Sequence, residues 1–197
     1  MYYNPYIYPW QYQYPYYANV PMNHYGRQPI YGGSPNEGGY ANGFNGSRSS
    51  NGNGHISLTD YGPNPFVVNI NEASKQNDTF RTALWTGEHL QVTLMSIAVR
   101  EDIGLEIHPN VDQFIRIEQG QGIVQMGKNK DNLNFKSNVY DDSAIIIPAG
   151  TWHNVTNTGN TPLKLYSIYA PPNHPFGTVH VTKQDAMTEE EGHDNEN

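Results

Sequence analysis

The sequence predicts an all-β protein, a sandwich or small barrel of about 120 residues carried between two polar tails. Three observations lead there. From about Leu58 onward, β-branched and aromatic residues come in short blocks punctuated by Gly, Asn, Asp and Pro. Only Asn71 to Asn77 (NEASKQN) reads as a helix, a short one. The composition on either side of this region cannot support a core. Taken in order, the predicted strands are FVVNI (66–70), FRTALWTG (80–87), LQVTLMSIAV (90–99), GLEIHP (104–109), DQFIRIEQG (112–120), QGIVQMG (121–127), SAIIIPAG (143–150), TWHNVTNTG (151–159) and LKLYSIYAPP (163–172). In QVTLMSIAV, Val92, Leu94, Ser96 and Ala98 share one face and Thr93, Met95, Ile97 and Val99 the other. Both faces are largely apolar, which implies a strand covered on two sides.

The flanks differ in kind. Residues 1–54 hold 11 Tyr, 9 Gly, 8 Asn and 6 Pro, and only three aliphatic residues, Ile7, Val20 and Ile30. Such a segment buries too little apolar surface to offset its ordering entropy, so residues 1–57 are expected to form a disordered arm. Residues 181–197 carry six acidic side chains and one basic, and read as a disordered acidic tail. The domain between them is expected to span 58–180. The net charge of −8 comes without a basic stripe, which argues against a nucleic-acid partner. No run of about 18 apolar residues is present and the amino terminus lacks a signal-peptide pattern, so no membrane role is expected. With no cysteine, any metal must be held by nitrogen and oxygen.

Two local patterns carry chemistry. PAGTWHNVTN (148–157) follows the strand Ala144–Ile147: Pro148 and Gly150 supply a turn, and His153 then shares a strand face with Val155 and Asn157. Upstream, Glu106 and His108 stand two apart in GLEIHP and so point the same way. Gln113 begins the next strand, and Gly120 and Gly122 allow a tight hairpin.

These residues resemble the motifs of the cupin superfamily of small β-barrels. The pattern P-x-G-x2-H-x3-N is matched by Pro148, Gly150, His153 and Asn157. The other motif, G-x5-H-x-H-x3–4-E-x6-G, is matched in spacing from its histidine pair onward. Glu106 stands where the first histidine would be, His108 is the second, Gln113 takes the glutamate position and Gly120 closes the motif. The resemblance implies a double-stranded β-helix, jelly-roll-like barrel and a metal site of Glu106, His108, Gln113 and His153. Two imidazoles, a carboxylate and an amide oxygen suit a divalent ion such as Zn, Mn or Fe. Glu106-Ile107-His108-Pro109-Asn110 is similar to a segment of the phosphomannose isomerase branch. It implies a small-molecule substrate, in that branch a sugar phosphate.

Three functions therefore stand open: a metal-dependent sugar isomerase, a metal-dependent dioxygenase, and a non-catalytic structural or sugar-binding protein. In the last, the Tyr-rich arm would recruit the protein through residues 1–54 into a spore coat or similar surface layer; otherwise the expected location is the cytoplasm. A metal-free hydrogen-bond network is the alternative for the four ligands. His174 and His180 are candidates for acid or base work near neutrality. Arg81, Arg100, Arg116 and Lys164 could bind a phosphate, while Phe80, Trp85, Tyr166 and Tyr169 read as packing residues. The family resemblance further implies a homodimer.

Overall fold

The alternation in Gln91–Ile97 decides the layering. Gln91, Thr93, Met95 and Ile97 are buried on the inner face of their sheet, while Leu94 is buried on the outer face under a second layer. The computed structural model describes residues 47–48 and 54–194, all within the unit spanning 43–197. The chain runs β1 (Ser47–Arg48), β2 (Phe66–Val67), α1 (Ile70–Gln76), β3 (Arg81–Thr86), β4 (Gln91–Ile97), β5 (Asp112–Gln119), β6 (Gln121–Gly127), β7 (Phe135–Tyr140), β8 (Ala144–Ile147), β9 (Trp152–Asn157), β10 (Leu163–Ala170), β11 (Val179–His180) and α2 (Lys183–Asp194). A six-stranded antiparallel sheet in the order β11-β3-β4-β10-β5-β8 faces a three-stranded one, β7-β6-β9, and β1 pairs with β2 in parallel. The all-β fold read from the sequence is the one observed.

The main core lies between the two sheets. Met95, Ile97, Ile115, Ile117, Ile145, Leu163 and Leu165 from the larger sheet meet Val124, Val139 and Val155 from the smaller. The chain passes from one sheet to the other at Gly120, whose φ of +100° is open to glycine and strained for other residues. On the outer face, α1 and the segment before it bury Ile56, Ala73, Leu84 and Leu94. Helix α1 starts one residue earlier than expected because Asn69 is its N-cap, accepting from the Glu72 amide at 3.3 Å. That cap also shortens the strand expected over 66–70 to Phe66–Val67.

The inner face of β4, β10 and β5 divides into two ends. Leu165 pairs with Met95 and Ile117 at the apolar end. Ser167 pairs with Thr93, and Tyr169 pairs with Gln91 and Gln113, at the other. Gln91, Thr93, Gln113, Ser167 and Tyr169 are all buried, so this end of the barrel is polar. It is the end that holds the candidate site.

Both expected boundaries shift. Ile56 is buried, and its backbone exchanges hydrogen bonds with the Gln76 side chain at 2.8 and 2.5 Å, so the folded body begins before 58. Residues 1–46 and 49–53 of the expected arm lie outside the described residues. The acidic segment 181–197 was expected to be disordered, yet Lys183–Asp194 is helical. Its start is a capping box: the Asp185 carboxylate accepts from the Thr182 amide at 2.8 Å, and the Thr182 hydroxyl accepts from the Asp185 amide at 3.3 Å. Ala186 then enters the main core beside Phe80 and Ile103, and Lys183 pairs with Asp102 at 2.6 Å. A cavity of about 400 Å³ beside α2, lined by Phe80, Ile103, Glu106 and Met187, limits how much the helix contributes. Deleting 182–197 is expected to lower stability by about 2 kcal/mol, through exposure of Phe80 and Ile103. Thermal denaturation checks this; an unchanged Tm would restore the reading of a solvated tail.

Candidate metal centre

Glu106 and His153 face one another across an antiparallel bridge. The Glu106 amide donates to the His153 carbonyl at 3.0 Å and the His153 amide to the Glu106 carbonyl at 2.9 Å. The side chains of a directly opposed pair emerge on the same side. His108 joins them two residues along. Its carbonyl accepts from the Gly150 amide at 2.8 Å, which ties the His108 loop to the turn before His153. Gly150 has φ of +71°, so glycine at this position of the motif serves the turn that delivers His153. The expected strand over 104–109 is thus an irregular segment held to β9 by one bridge.

The three side chains converge. Each offers one ligand atom, and the three atoms lie within 4.8 Å of one another. His108 Nε2 stands 3.4 Å and His153 Nε2 3.8 Å from Glu106 Oε2. These separations suit donors that share one ion at bond lengths of about 2.1 Å. His153 Nδ1 lies 2.9 Å from the Thr151 carbonyl. A carbonyl can only accept, so Nδ1 carries the proton and the Nε2 lone pair faces Glu106. The backbone thereby selects the tautomer that a metal needs.

Gln113 stands on β5, opposite Tyr169 and Ile147. Its amide nitrogen donates to the Ser167 hydroxyl at 3.3 Å, which leaves its oxygen as the outstanding group. Glu106 Oε2, His108 Nε2, His153 Nε2 and Gln113 Oε1 are all buried with no hydrogen-bond partner. Buried polar atoms are nearly always paired. Three of these atoms, on Glu106, His108 and His153, converge closely enough to share one divalent ion.

Arg81 and Tyr169 complete the surroundings. Arg81, 1% exposed, donates through Nη2 to Glu106 Oε1 at 3.0 Å, so it is committed to a carboxylate and not displayed for a phosphate. Arg116 is likewise paired with Glu118 and Asp142, and Lys164 with Asp78 and the Asn77 carbonyl. Burial acts to raise the Glu106 carboxyl, but the contact with His108 and the Arg81 charge outweigh it and hold the group at about 2. Burial pushes the His153 imidazole down. Tyr169, read from the sequence as packing, has its ring edge-on to His108 at 5.6 Å. Its buried hydroxyl, raised to about 12 chiefly by burial, stays protonated as a donor.

The two other candidate histidines, His174 and His180, are outside this group. His180 is buried on β11, opposite Arg81 in the strand register. His174 is half-buried and stands edge-on to Tyr169 at 5.1 Å, one ring removed from His108. Gln91 pins it there, accepting from the His174 amide at 3.0 Å and donating to its carbonyl at 2.9 Å. Burial, with the Arg81 charge, lowers the His174 pKa to about 3, so the ring is neutral at pH 7, with one nitrogen a hydrogen-bond donor and the other an acceptor. A depressed folded pKa gives stability that is present above the ordinary value of 6.5 and lost as pH falls toward 3. In chelator-treated protein the loss between pH 7 and 5 is expected to reach at most about 2 kcal/mol. His174→Gln should flatten that part of the profile; an unchanged slope in urea unfolding would contradict it.

The model of the cupin domain family matches residues 93–169. A Bacillus subtilis relative, the uncharacterized protein YrkC, is 67% identical over 191 residues, covering 97% of this chain and all of that protein. The chain belongs to the cupin superfamily. This cupin is also similar to the Bacillus halodurans protein BH2720, a crystal structure matched with 70% identity and a TM-score of 0.66 over 66% of this chain and 99% of that one. A mimivirus relative, the uncharacterized protein L612, is 46% identical over 60% of this chain and 72% of its own length. Asn157, the last residue of the matched motif, is structural in this cupin. Its amide donates to the carbonyls of Ile97 and Thr161 and its oxygen accepts from the Gly159 amide, fastening β9 to its neighbours. No helix among the described residues is long and apolar enough to cross a membrane.

Proposed function

We propose that this cupin holds one divalent first-row ion between Glu106, His108 and His153, with the Gln113 amide oxygen as fourth donor, and that it acts on a small oxygenated substrate in the polar end of the barrel. The observation that carries the proposal is the set of four buried, unpartnered atoms on those residues. Such an ion supplies Lewis acidity, polarising a carbonyl and stabilising negative charge on adjacent oxygens. The chain supplies the rest. Arg81 occupies one Glu106 oxygen and so presents the other to the imidazoles. The Thr151 carbonyl fixes His153 and the Gly150 amide fixes the His108 loop. Tyr169 offers a hydroxyl donor, and the neutral His174 ring offers an acceptor one layer out. These parts support proton movement next to a carbonyl, and aldose–ketose isomerisation is the reading we favour. The likeness of Glu106–Asn110 to the phosphomannose isomerase segment supports it. Dimerisation and recruitment through residues 1–54 belong to the same proposal and rest on family and composition.

Metal analysis after expression, followed by assays of the loaded protein on free and phosphorylated sugars, tests this reading. One equivalent of metal and turnover are expected. Wild-type metal content no higher than that of a His108→Ala, His153→Ala variant would overturn it. Stoichiometric metal without turnover would leave a binding module, and oxygen uptake with catechol-like substrates would reassign the site as a dioxygenase.

A further inference from the structure

The converging group contains a single carboxylate, Glu106, and two imidazoles, and Gln113 adds a neutral amide. The Arg81 guanidinium lies 3.0 Å from the carboxylate, and both side chains are largely buried, at 1% and 11% exposure. The donor set together with its buried counter-ion therefore sums to zero. Uncompensated charge in a buried site is strongly disfavoured. A divalent ion here must take its balancing charge from whatever completes its coordination. Three other groups at this end of the barrel, Thr93, Ser167 and Tyr169, are buried, uncharged hydroxyls able to donate hydrogen bonds to an anion, while the Gln91 amide donates to Thr86 and to the His174 carbonyl.

Resting on the metal reading above, we infer that Arg81 makes this a site for anionic ligands: by cancelling Glu106 it reserves the open positions for a small carboxylate with a second oxygen donor, the class of 2-hydroxy and 2-oxo acids. Arg116 and Lys164 are both consumed in ion pairs with carboxylates of the chain, and neither they nor Arg81 is displayed to a remote phosphate. Arg81 is thus a specificity-determining residue that acts through Glu106, and its removal should have two opposite effects. The ion, meeting a carboxylate no longer shared with a guanidinium, should bind more tightly. The anion, meeting a partly neutralised ion, should bind less tightly.

The test uses full-length protein loaded with Co²⁺, whose visible absorption reports changes in coordination. Glycolate and ethylene glycol are titrated as a matched pair that differ in carboxylate against hydroxymethyl. Wild type is expected to bind glycolate at least about a hundredfold more tightly than ethylene glycol. Arg81→Met should gain Co²⁺ affinity and lose about tenfold in glycolate affinity, while Arg81→Lys keeps both near wild type. A role confined to holding the fold would lower both affinities together, and that outcome overturns the inference. If Arg81→Met does not fold, Glu106→Gln gives the converse readout at saturating Co²⁺: glycolate should bind about tenfold more tightly, and unchanged binding overturns the inference. Normal Co²⁺ uptake with equal binding of the two probes overturns this inference alone. Absence of Co²⁺ uptake overturns the metal reading and this inference with it.

Discussion

Alanine at His108 or His153 is expected to lower the affinity for Zn²⁺ or Co²⁺ on the order of a thousandfold, and both changes together should abolish stoichiometric binding. Each imidazole is one of two nitrogen donors in the group, and the remaining carboxylate and amide are oxygen donors with less preference for these ions. The loss can be read as stability without any assay of activity. A ligand at a hundred times its dissociation constant stabilises the folded state by about 2.7 kcal/mol. For a domain of this size that raises Tm by about 5–10 °C. The wild type should show this shift on adding metal and lose it on adding chelator, whereas neither alanine variant should respond at the same concentration. Comparing metal-induced shifts removes a complication, because His153 is fully buried and its truncation also leaves a cavity. A metal-free network predicts the reverse order: no shift in the wild type, and a loss of stability on truncation that metal does not alter.

How much of this was legible beforehand follows from what each element needs. Strands β3 to β6 and β8 to β10 were readable because their apolar residues alternate, or run continuously where both faces are covered, as at Leu94. Strand β7 has no signature in the sequence because FKSNVY is exposed except at Val139, leaving no buried face. Strand β11 is two residues long and is defined by pairing with β3, which no local pattern encodes. Helix α2 was read as solvated charge because its anchor is a single alanine, although the Thr182–Asp185 capping box was available in the sequence. At the site, motif spacing named Glu106, His108 and His153, and the structure brings them together. Gln113 was also named, and its side-chain oxygen is buried without a hydrogen-bond partner. Arg81 is legible only as a possible phosphate ligand, and its pairing with Glu106 has no signature in the sequence. It lies 25 positions from Glu106, and only the placement of β3 beside β4 carries it there. Tyr169 carries no such signal, because an aromatic residue in a strand is usually core; its place beside His108 follows from the pairing of β10 with β4 and β5.

The Arg81–Glu106 pair gives the second large effect. Arg81→Met in metal-free protein should cost about 3–5 kcal/mol, because it leaves a buried carboxylate without its guanidinium. Glu106→Leu should also destabilise, since Arg81 loses its carboxylate partner. The double variant Arg81→Met, Glu106→Leu should lie within about 1–2 kcal/mol of wild type, as replacing a whole buried ion pair by apolar groups of similar volume is often neutral. The double-mutant cycle, read by urea unfolding with chelator present, should therefore give a coupling of at least about 2–3 kcal/mol. Simple additivity would show that the pair does not interact as the 3.0 Å contact implies. Added metal separates the two single variants further. In Arg81→Met the exposed need is for a positive charge beside Glu106, which a divalent ion meets, so this variant should recover more stability on metal addition than the wild type gains. In Glu106→Leu a ligand is gone and the surplus charge is already positive, so the response should be the weakest of the set. Stability lost by removing Arg81 in the metal-free protein should thus reappear as metal affinity, linking the unfolding cycle to the anion titration through one carboxylate.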